Sequence, residues 1–451
     1  MPEQTEYRLA LILPESRQLL GIRSGETAEL PRLSIPSWER PVEQLTRIAE
    51  EQWKIKSIVL DFLSGKPGTA TCAVMEVRNA PMHSWFEGFH PVSPEELSES
   101  SLGEEERGSL LRLLSGDDTD GFPFSRVGWI DEARQWIQQE VRDREIHFNG
   151  DILQLNTGGG FALIRFGSES GPAYWLKAAG EPNAHEFGIT TTLANLFPDY
   201  LPRLVAARED WNAWVTEDAG GTLRSQSALP LLEQAVQRLT ELQLKSIDYA
   251  EALMSKGFAL QNISTLQMQL EALMEYLEEA MGRQTSTRVP PLLRSRLYEL
   301  RSILDRSCST MIDLQIPDTL VHNDLNVGNI LYKESQCVFT DWAETFIGNP
   351  FISLQAICLL RPDDRELPAA WIERLRGLYR EGWLQLLTSR QIDQAIVLTP
   401  ILAILSHLYG GGHWLKSSRR SDLAFQAYTR SLARYMDRAA NEPGLQELLC
   451  L

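Results

Sequence analysis

Leu320-Val321-His322-Asn323-Asp324-Leu325-Asn326-Val327-Gly328-Asn329-Ile330-Leu331, followed twelve residues after Asn329 by Asp341-Trp342, decides how this chain is read. The run supplies a carboxylate, a carboxamide five residues later, and a second carboxylate after a short apolar stretch. Phosphoryl transfer uses such parts: one Asp accepts the proton of an attacking hydroxyl, while an Asn and a second Asp hold the magnesium that neutralises a polyphosphate. Taken singly, Asp324 and Asn329 are also residues that cap turns; the complete ordered set points to the chemistry. Ile330-Leu331-Tyr332 reads as a strand, Lys333 to Gln336 as a turn and Cys337-Val338-Phe339-Thr340 as a returning strand, so the hairpin is expected to bring Asp341 back beside Asn329.

This stretch resembles the catalytic segment of the aminoglycoside phosphotransferase and choline kinase family, the small-molecule branch of the protein-kinase-like fold. The family pattern is His, a variable residue, Asp, four residues and Asn, then a strand and Asp-Trp or Asp-Phe. The variable residue is often Gly among antibiotic kinases; Asn323 here is more like the choline and ethanolamine kinases. Gly348-Asn349-Pro350-Phe351 is similar to the Gly-Asp-Pro run of the antibiotic-kinase branch, with Asn in place of Asp. The acceptor class is therefore not readable from these motifs. The resemblance implies Asp324 as base, His322 as a brace behind the loop, and Asn329 and Asp341 as magnesium ligands. ATP or GTP is the implied donor and a small-molecule hydroxyl the acceptor.

A kinase-like fold demands further parts upstream. Asp151 to Leu155 reads as a first strand, Thr157-Gly158-Gly159-Gly160 as a glycine turn, Phe161 to Phe166 as a second strand and Ala173 to Lys177 as a third. Glycines let backbone approach phosphate oxygens with no Cβ in the way, although three glycines also suit any hairpin. Lys177 closes an apolar strand, where a lysine is costly to bury unless paired. Glu186 follows nine residues later, on a helix that Asn183 is expected to cap. The resemblance makes Lys177 a phosphate contact held by Glu186. Ala213 to Thr216 reads as the last strand, and Glu217-Asp218-Ala219-Gly220-Gly221 as the crossing into a helical lobe. There the resemblance puts adenine contacts on the backbone of Glu217 and Ala219.

Beyond the crossing, apolar residues recur at three and four residue spacing over Leu229–Leu244, Leu266–Glu279, Pro291–Ile312, Ala369–Leu387, Gln391–Tyr409 and Leu423–Met436. Ala395 to Leu405 is apolar almost all round, as a buried core helix is. His407 and His413 read as core or surface histidines rather than ligands. Glu344 and the pair Asp363-Asp364 are candidate acceptor contacts, but each reads as an ordinary solvated acid first.

Residues 1–145 are extra to such a kinase. Strands at Tyr7–Leu13, Arg17–Arg23, Ser57–Leu63 and Thr69–Arg78, a helix bearing Val42, Leu45, Ile48, Ala49 and Trp53, and a closing helix Val127–Arg142 look like the Nudix hydrolase fold. Of its signature helix only Glu50 and Glu51 match; its arginine and glutamate become Thr46 and Arg47, and its glycine becomes Trp53. Nudix chemistry needs clustered carboxylates around magnesium, so this region is expected to have lost hydrolysis.

The expected fold is α+β: a Nudix-like domain over 1–145, a kinase-like N-lobe over 146–220 and a helical C-lobe over 221–451. The net charge of −18 argues against nucleic acid as a partner and suits a cationic acceptor such as an aminoglycoside. The five scattered cysteines fit reduced thiols. With no leader-like N-terminus and no long apolar run, a cytoplasmic protein without a membrane partner is expected. The expected function is transfer of a nucleotide γ-phosphate to a small-molecule hydroxyl. The alternative is a catalytically silent nucleotide-sensing or interaction module, with the Nudix-like part as its ligand or partner domain.

Overall fold

The computed structural model describes residues 4–450 apart from 26, 38–39, 64, 66–68, 79–87, 117–122, 143–145, 159, 226–227, 334–335, 361–364 and 416–419. The chain is a mixed α+β protein that divides into two compact units. The first comprises residues 1–187 with 203–218, and the second 188–202 with 219–451.

The first unit holds two sheets. One has seven strands, with Thr27–Glu29, Leu19–Ser24, Gln4–Ile12, Thr71–Val77 and Ser57–Leu63 in spatial order, Arg32–Pro36 beside Gln4–Ile12, and His90–Val92 beside Leu19–Ser24. The strands expected over 7–13 and 17–23 pair antiparallel, Leu11 with Leu20 and Ile12 with Leu19. The uninterrupted apolar run in Gln4–Ile12 has a simple cause: both faces of this strand are buried. Leu9 and Leu11 face a core with Val42, Leu45 and Ala49 of the helix Pro41–Trp53. Ala10 and Ile12 face the opposite core, with Trp129, Ala133 and Ile137 of the helix Trp129–Glu140.

That second core does not stop at residue 145. It also contains Ile164, Phe166, Tyr174, Leu176 and Val215 from a five-stranded antiparallel sheet, ordered Leu204–Arg208, Ala213–Glu217, Tyr174–Ala178, Phe161–Ser168 and Phe148–Gly158. The first strand of this sheet runs on through the glycine turn to Gly158 rather than ending at Leu155. Buried Gln154 ties the two sheets together. Its amide nitrogen donates to the Val59 carbonyl and its amide oxygen accepts from the Val59 N–H, both at 2.8 Å. Val59 sits where the pairing of Ser57–Leu63 shifts register, so its backbone needs partners outside the ladder. The boundary read at 145 is thus not a boundary between cores.

The other expected boundary also moves. Residues 188–202 belong with the helical unit, because Leu193, Phe197, Tyr200 and Leu201 are buried in its core. Asn183 does not cap the helix Glu186–Leu196; its carbonyl accepts from the Glu186 N–H in a turn that precedes the helix.

The second unit packs the helices Leu229–Ser246, Leu270–Gly282, Arg294–Asp313, Ala369–Trp383, Ser389–Tyr409 and Leu423–Ala440 around one apolar core. The stretch read as one helix from Leu266 is two, Ile263–Met268 and Leu270–Gly282, and Asn262 caps the first by accepting from the Thr265 N–H. The helix expected from Pro291 starts at Arg294, since Pro290 and Pro291 hold the chain before it extended. Ser389–Tyr409 belongs to a segment long and apolar enough to cross a membrane by length and composition, and half of its most apolar window is buried inside the protein. It packs on its neighbouring helices as a core element. Two three-stranded sheets carry the loops described next: Gly221–Thr222 with the hairpin Ile330–Lys333 and Gln336–Phe339, and Ala259–Leu260 with Thr345–Gly348 and Thr319–His322.

Candidate functional site

The segment from Thr319 to Gly348 leaves one small sheet, forms the other and returns. Thr319–His322 pairs antiparallel with Thr345–Gly348, placing His322 opposite Thr345. The chain between them makes the hairpin Ile330–Lys333 and Gln336–Phe339, pairing Ile330 with Phe339; the tip, 334–335, lies outside the described residues. Four apolar strand residues, Val321, Ile330, Cys337 and Phe339, are fully buried and fix both ends of the loop 323–329.

Inside that loop the polar groups organise one another. The Asn326 amide donates to Asp324 Oδ1 at 3.0 Å, and its own Oδ1 accepts from the Gly328 N–H at 2.8 Å. The Asn329 amide donates to Asp324 Oδ2 at 3.0 Å and to the Asp324 carbonyl at 2.8 Å. Each carboxylate oxygen of Asp324 thus accepts from one carboxamide, which holds its rotamer. Both bonds use the Asn329 nitrogen, so its side-chain oxygen takes no part in holding Asp324. The Thr340 N–H donates to the Asn329 carbonyl at 3.0 Å, so the hairpin does return the chain to Asn329 one residue before Asp341. Asp341 has φ +66°, a left-handed backbone that Asp tolerates better than most residues and that is common at functional turns. A carboxylate and a carboxamide oxygen are hard donors of the kind magnesium takes.

His322 is tied to the chain on both sides of the hairpin and to the helix that follows. Its Nε2 lies 3.0 Å from the Thr340 carbonyl, its ring lies 4.5 Å from the Trp342 ring, and its backbone exchanges hydrogen bonds with the Ser353 hydroxyl. Asn349 starts the helix Phe351–Cys358 by accepting from the Phe351 N–H.

A second layer lies beside Asp324. The buried Asn323 amide donates to Glu344 Oε2 at 3.3 Å and approaches His407 Nδ1 at 3.4 Å. Burial, helped by the charges of Asp324 and then Asp341, raises the Glu344 pKa against the opposing bond from Asn323. Burial lowers His407 although Asp324 pulls it upward, so its neutral ring can offer Nδ1 as an acceptor. Partial burial and the Glu344 and Asp324 charges raise the Tyr428 phenol. Tyr428 and His407 come from distant helices and carry no local motif. Asn326, two residues after Asp324, was open to a reading as an Asx turn.

In the first unit, Lys177 lies directly opposite Trp214 in neighbouring strands. Its Nζ donates to Glu186 Oε1 at 2.5 Å and sits 5.7 Å from the Trp214 ring centroid. Glu186 is 1% exposed, and a buried carboxylate is costly unless paired. Gly158 has φ +115°, which only glycine adopts without strain; it pairs with Phe161 across the turn. Gly160 follows the turn, and Gly159 lies outside the described residues. Glu217 ends its strand, its N–H donating to the Arg203 carbonyl and its carboxylate accepting from Arg203. Ala219 opens the second unit, and Gly220 follows at φ +95°, where a Cβ would stand 2.0 Å from the Tyr332 carbonyl oxygen.

The remaining acids and histidines separate from this set. Glu51 pairs with Arg47 at 2.8 Å and Glu50 with Lys56 at 3.7 Å on an exposed helix face. Asp363, Asp364 and the His413 side chain lie outside the described residues. Among the described residues, no group of three or more His, Cys, Asp or Glu side chains is placed to hold a metal.

No family model matches the chain, and no curated protein matches it. Solved structures similar to it include a macrolide 2′-phosphotransferase from Brachybacterium faecium, 14% identical over 68% of this chain and 99% of that one, with a TM-score of 0.43. A choline/ethanolamine kinase family protein from Mesorhizobium loti is 16% identical over 71% and 98%, with a TM-score of 0.46. An ethanolamine kinase from Plasmodium vivax is 14% identical over 77% and 97%, with a TM-score of 0.45.

Proposed function

We propose that this protein transfers the γ-phosphoryl group of ATP or GTP to a hydroxyl of a small molecule. The observation that carries the reading is the Asp324 loop, in which Asn329 clamps the carboxylate and the Thr340-to-Asn329 bond returns the chain to Asp341. Asp324 orients the acceptor hydroxyl and takes its proton. Asn329 and Asp341 hold magnesium, which when bound neutralises charge on the polyphosphate. His322 keeps the loop in place. Lys177 contacts the nucleotide phosphates, and buried Glu186 positions it. Gly158, Gly159 and Gly160 cover the phosphates with backbone, and Glu217 and Ala219 offer backbone groups to the base. The net charge of −18 agrees with a cationic acceptor, an aminoglycoside being one such compound. Residues 1–145 take no part in hydrolysis in this reading, because Glu50 and Glu51 are engaged by bases of their own helix and its exit.

The test is thermal stability with magnesium and ATP or GTP, comparing wild type with Asp341→Asn. Ligand binding to the folded state alone stabilises it by about 2.7–4.1 kcal/mol at a hundred to a thousand times the dissociation constant. The expected result is a magnesium-dependent shift that Asp341→Asn abolishes. Well-folded wild-type protein with no shift for either nucleotide refutes the reading.

A further inference from the structure

The strand that enters the glycine turn, Phe148–Gly158, is the edge of the five-stranded sheet, and Ser57–Leu63 is the edge of the seven-stranded one. Each of these edge strands skips one residue of its own ladder. Pairing jumps from Val59 to Asp61 in one and from Gln154 to Asn156 in the other, leaving out Leu60 and Leu155. A bulge releases backbone groups from the ladder, and those of Ser57–Leu63 are taken up by side chains of Phe148–Gly158. Gln154, 2% exposed, bonds both backbone groups of Val59 at 2.8 Å. Three residues on, the buried Thr157 hydroxyl donates to the Leu60 carbonyl in a longer bond of 3.4 Å. Thr157 is the first residue of the turn, and its own N–H donates to Asn156 Oδ1 at 2.9 Å. A second contact follows the turn. A Cβ built on Gly180 would stand 2.8 Å from Gly160 Cα, so the turn rests on bare backbone three residues after Lys177.

Resting on the reading of this turn as the cover of the nucleotide phosphates, we propose that residues 1–145 act in nucleotide binding by seating the turn. Val59 and Leu60 hold Gln154 and Thr157, and through them the backbone that meets the phosphates. Gly180 sets how closely that backbone approaches the strand of Lys177. Gln154 and Thr157 are positioning residues, and neither has to touch the nucleotide. The physical reason is preorganisation. Glycine has the most backbone freedom to lose, and Gly158, Gly159 and Gly160 stand in a row. A ligand that must order such a turn loses affinity in proportion to the time the turn spends elsewhere. The two 2.8 Å bonds of a buried carboxamide, four residues before Gly158, limit that excursion before the nucleotide arrives. The region that a kinase does not require thus supplies rigidity that the glycines take away. The effect is confined to the phosphates. Base contacts at Glu217 and Ala219 lie outside the turn, so a nucleoside without phosphates does not sense it.

The experiment uses full-length protein with magnesium and measures the affinity of ATP or GTP, whichever wild type binds, beside that of the matching nucleoside. The variants are Gln154→Met, Thr157→Val and Gly180→Ala. The first two are expected to weaken triphosphate binding by about threefold to tenfold, the size of a neutral hydrogen bond. Gly180→Ala is expected to weaken it by about tenfold or more, because its methyl group forces the turn to move. Nucleoside affinity is expected to stay within about twofold of wild type throughout. Thr157→Ser restores the hydroxyl and is expected to return triphosphate affinity to within about twofold. A loss of stability alone leaves the ratio of triphosphate to nucleoside affinity where it was. Thr157→Val gives up only the long bond to Leu60, so it keeps the test open even where Gln154→Met does not fold. An unchanged ratio in Thr157→Val and Gly180→Ala overturns the proposal and leaves the nucleotide site standing, as does an equal loss of nucleoside and triphosphate affinity. A folded wild type that binds neither triphosphate strikes the phosphotransfer reading itself, and the proposal with it.

Discussion

Replacing Asp324 by Asn separates the chemistry of the loop from its architecture. Each carboxylate oxygen of Asp324 accepts a 3.0 Å bond, one from Asn326 and one from Asn329. The substituted amide keeps one oxygen, so one of these bonds survives and the other sets two NH2 groups against each other. Losing a hydrogen bond to a charged group costs about 1.5–3 kcal/mol. The site is only half-buried and Asp324 adds to the crowding of negative charge that raises Glu344, so removing its charge returns part of that cost. The net destabilisation is expected near 1 kcal/mol, or about 2–4 °C of melting temperature for a unit of this size. Removal of a positioned base is expected to lower kcat by about 10²–10⁴. The assay is steady-state turnover on a small-molecule hydroxyl acceptor, beside melting curves with and without magnesium and nucleotide. Turnover within a few-fold of wild type would refute the role of Asp324. Equal loss of nucleotide stabilisation would move Asp324 into the nucleotide site.

Glu344 has a raised folded pKa, from burial first and then the charges of Asp324 and Asp341. It therefore binds its proton more tightly folded than unfolded, favouring the fold at low pH and losing that contribution as pH rises through the folded value. Glu344→Gln is expected to be more stable than wild type at neutral pH, with the difference shrinking on acidification into the carboxylate range; melting curves from acid to neutral pH check this, and a pH-independent difference contradicts it. Gln154→Leu preserves volume but strands the Val59 N–H and carbonyl, at about 1–3 kcal/mol each. Urea unfolding of the first unit should show a loss of several kcal/mol, about 2–6 in all, and a change below about 1 kcal/mol would show that these bonds are replaced.

Much of the loop was legible because its interactions are local. Asp324, Asn326 and Asn329 lie within six residues, and a two-stranded hairpin sets where Asp341 returns, so spacing alone carries the arrangement. The pairing of Lys177 with Glu186 is also short-range, nine residues apart across one strand end and one turn. The apolar run Leu9 to Ile12 announced a strand, and alternation across its two faces is a period the chain itself contains.

Tertiary packing decided what depends on residues far apart in sequence. Nothing near Asn323 foretells His407, 84 residues away, or Tyr428, because their helices are periodic on their own account and only packing brings them to the loop. The domain boundary at 145 looked natural by motif, yet Gln154 and the core running from Ala10 to Val215 join what the motifs divide. Local pattern determines which element forms and which side chain it presents; burial across distant elements determines the neighbours, and with them the charge balance around Asp324.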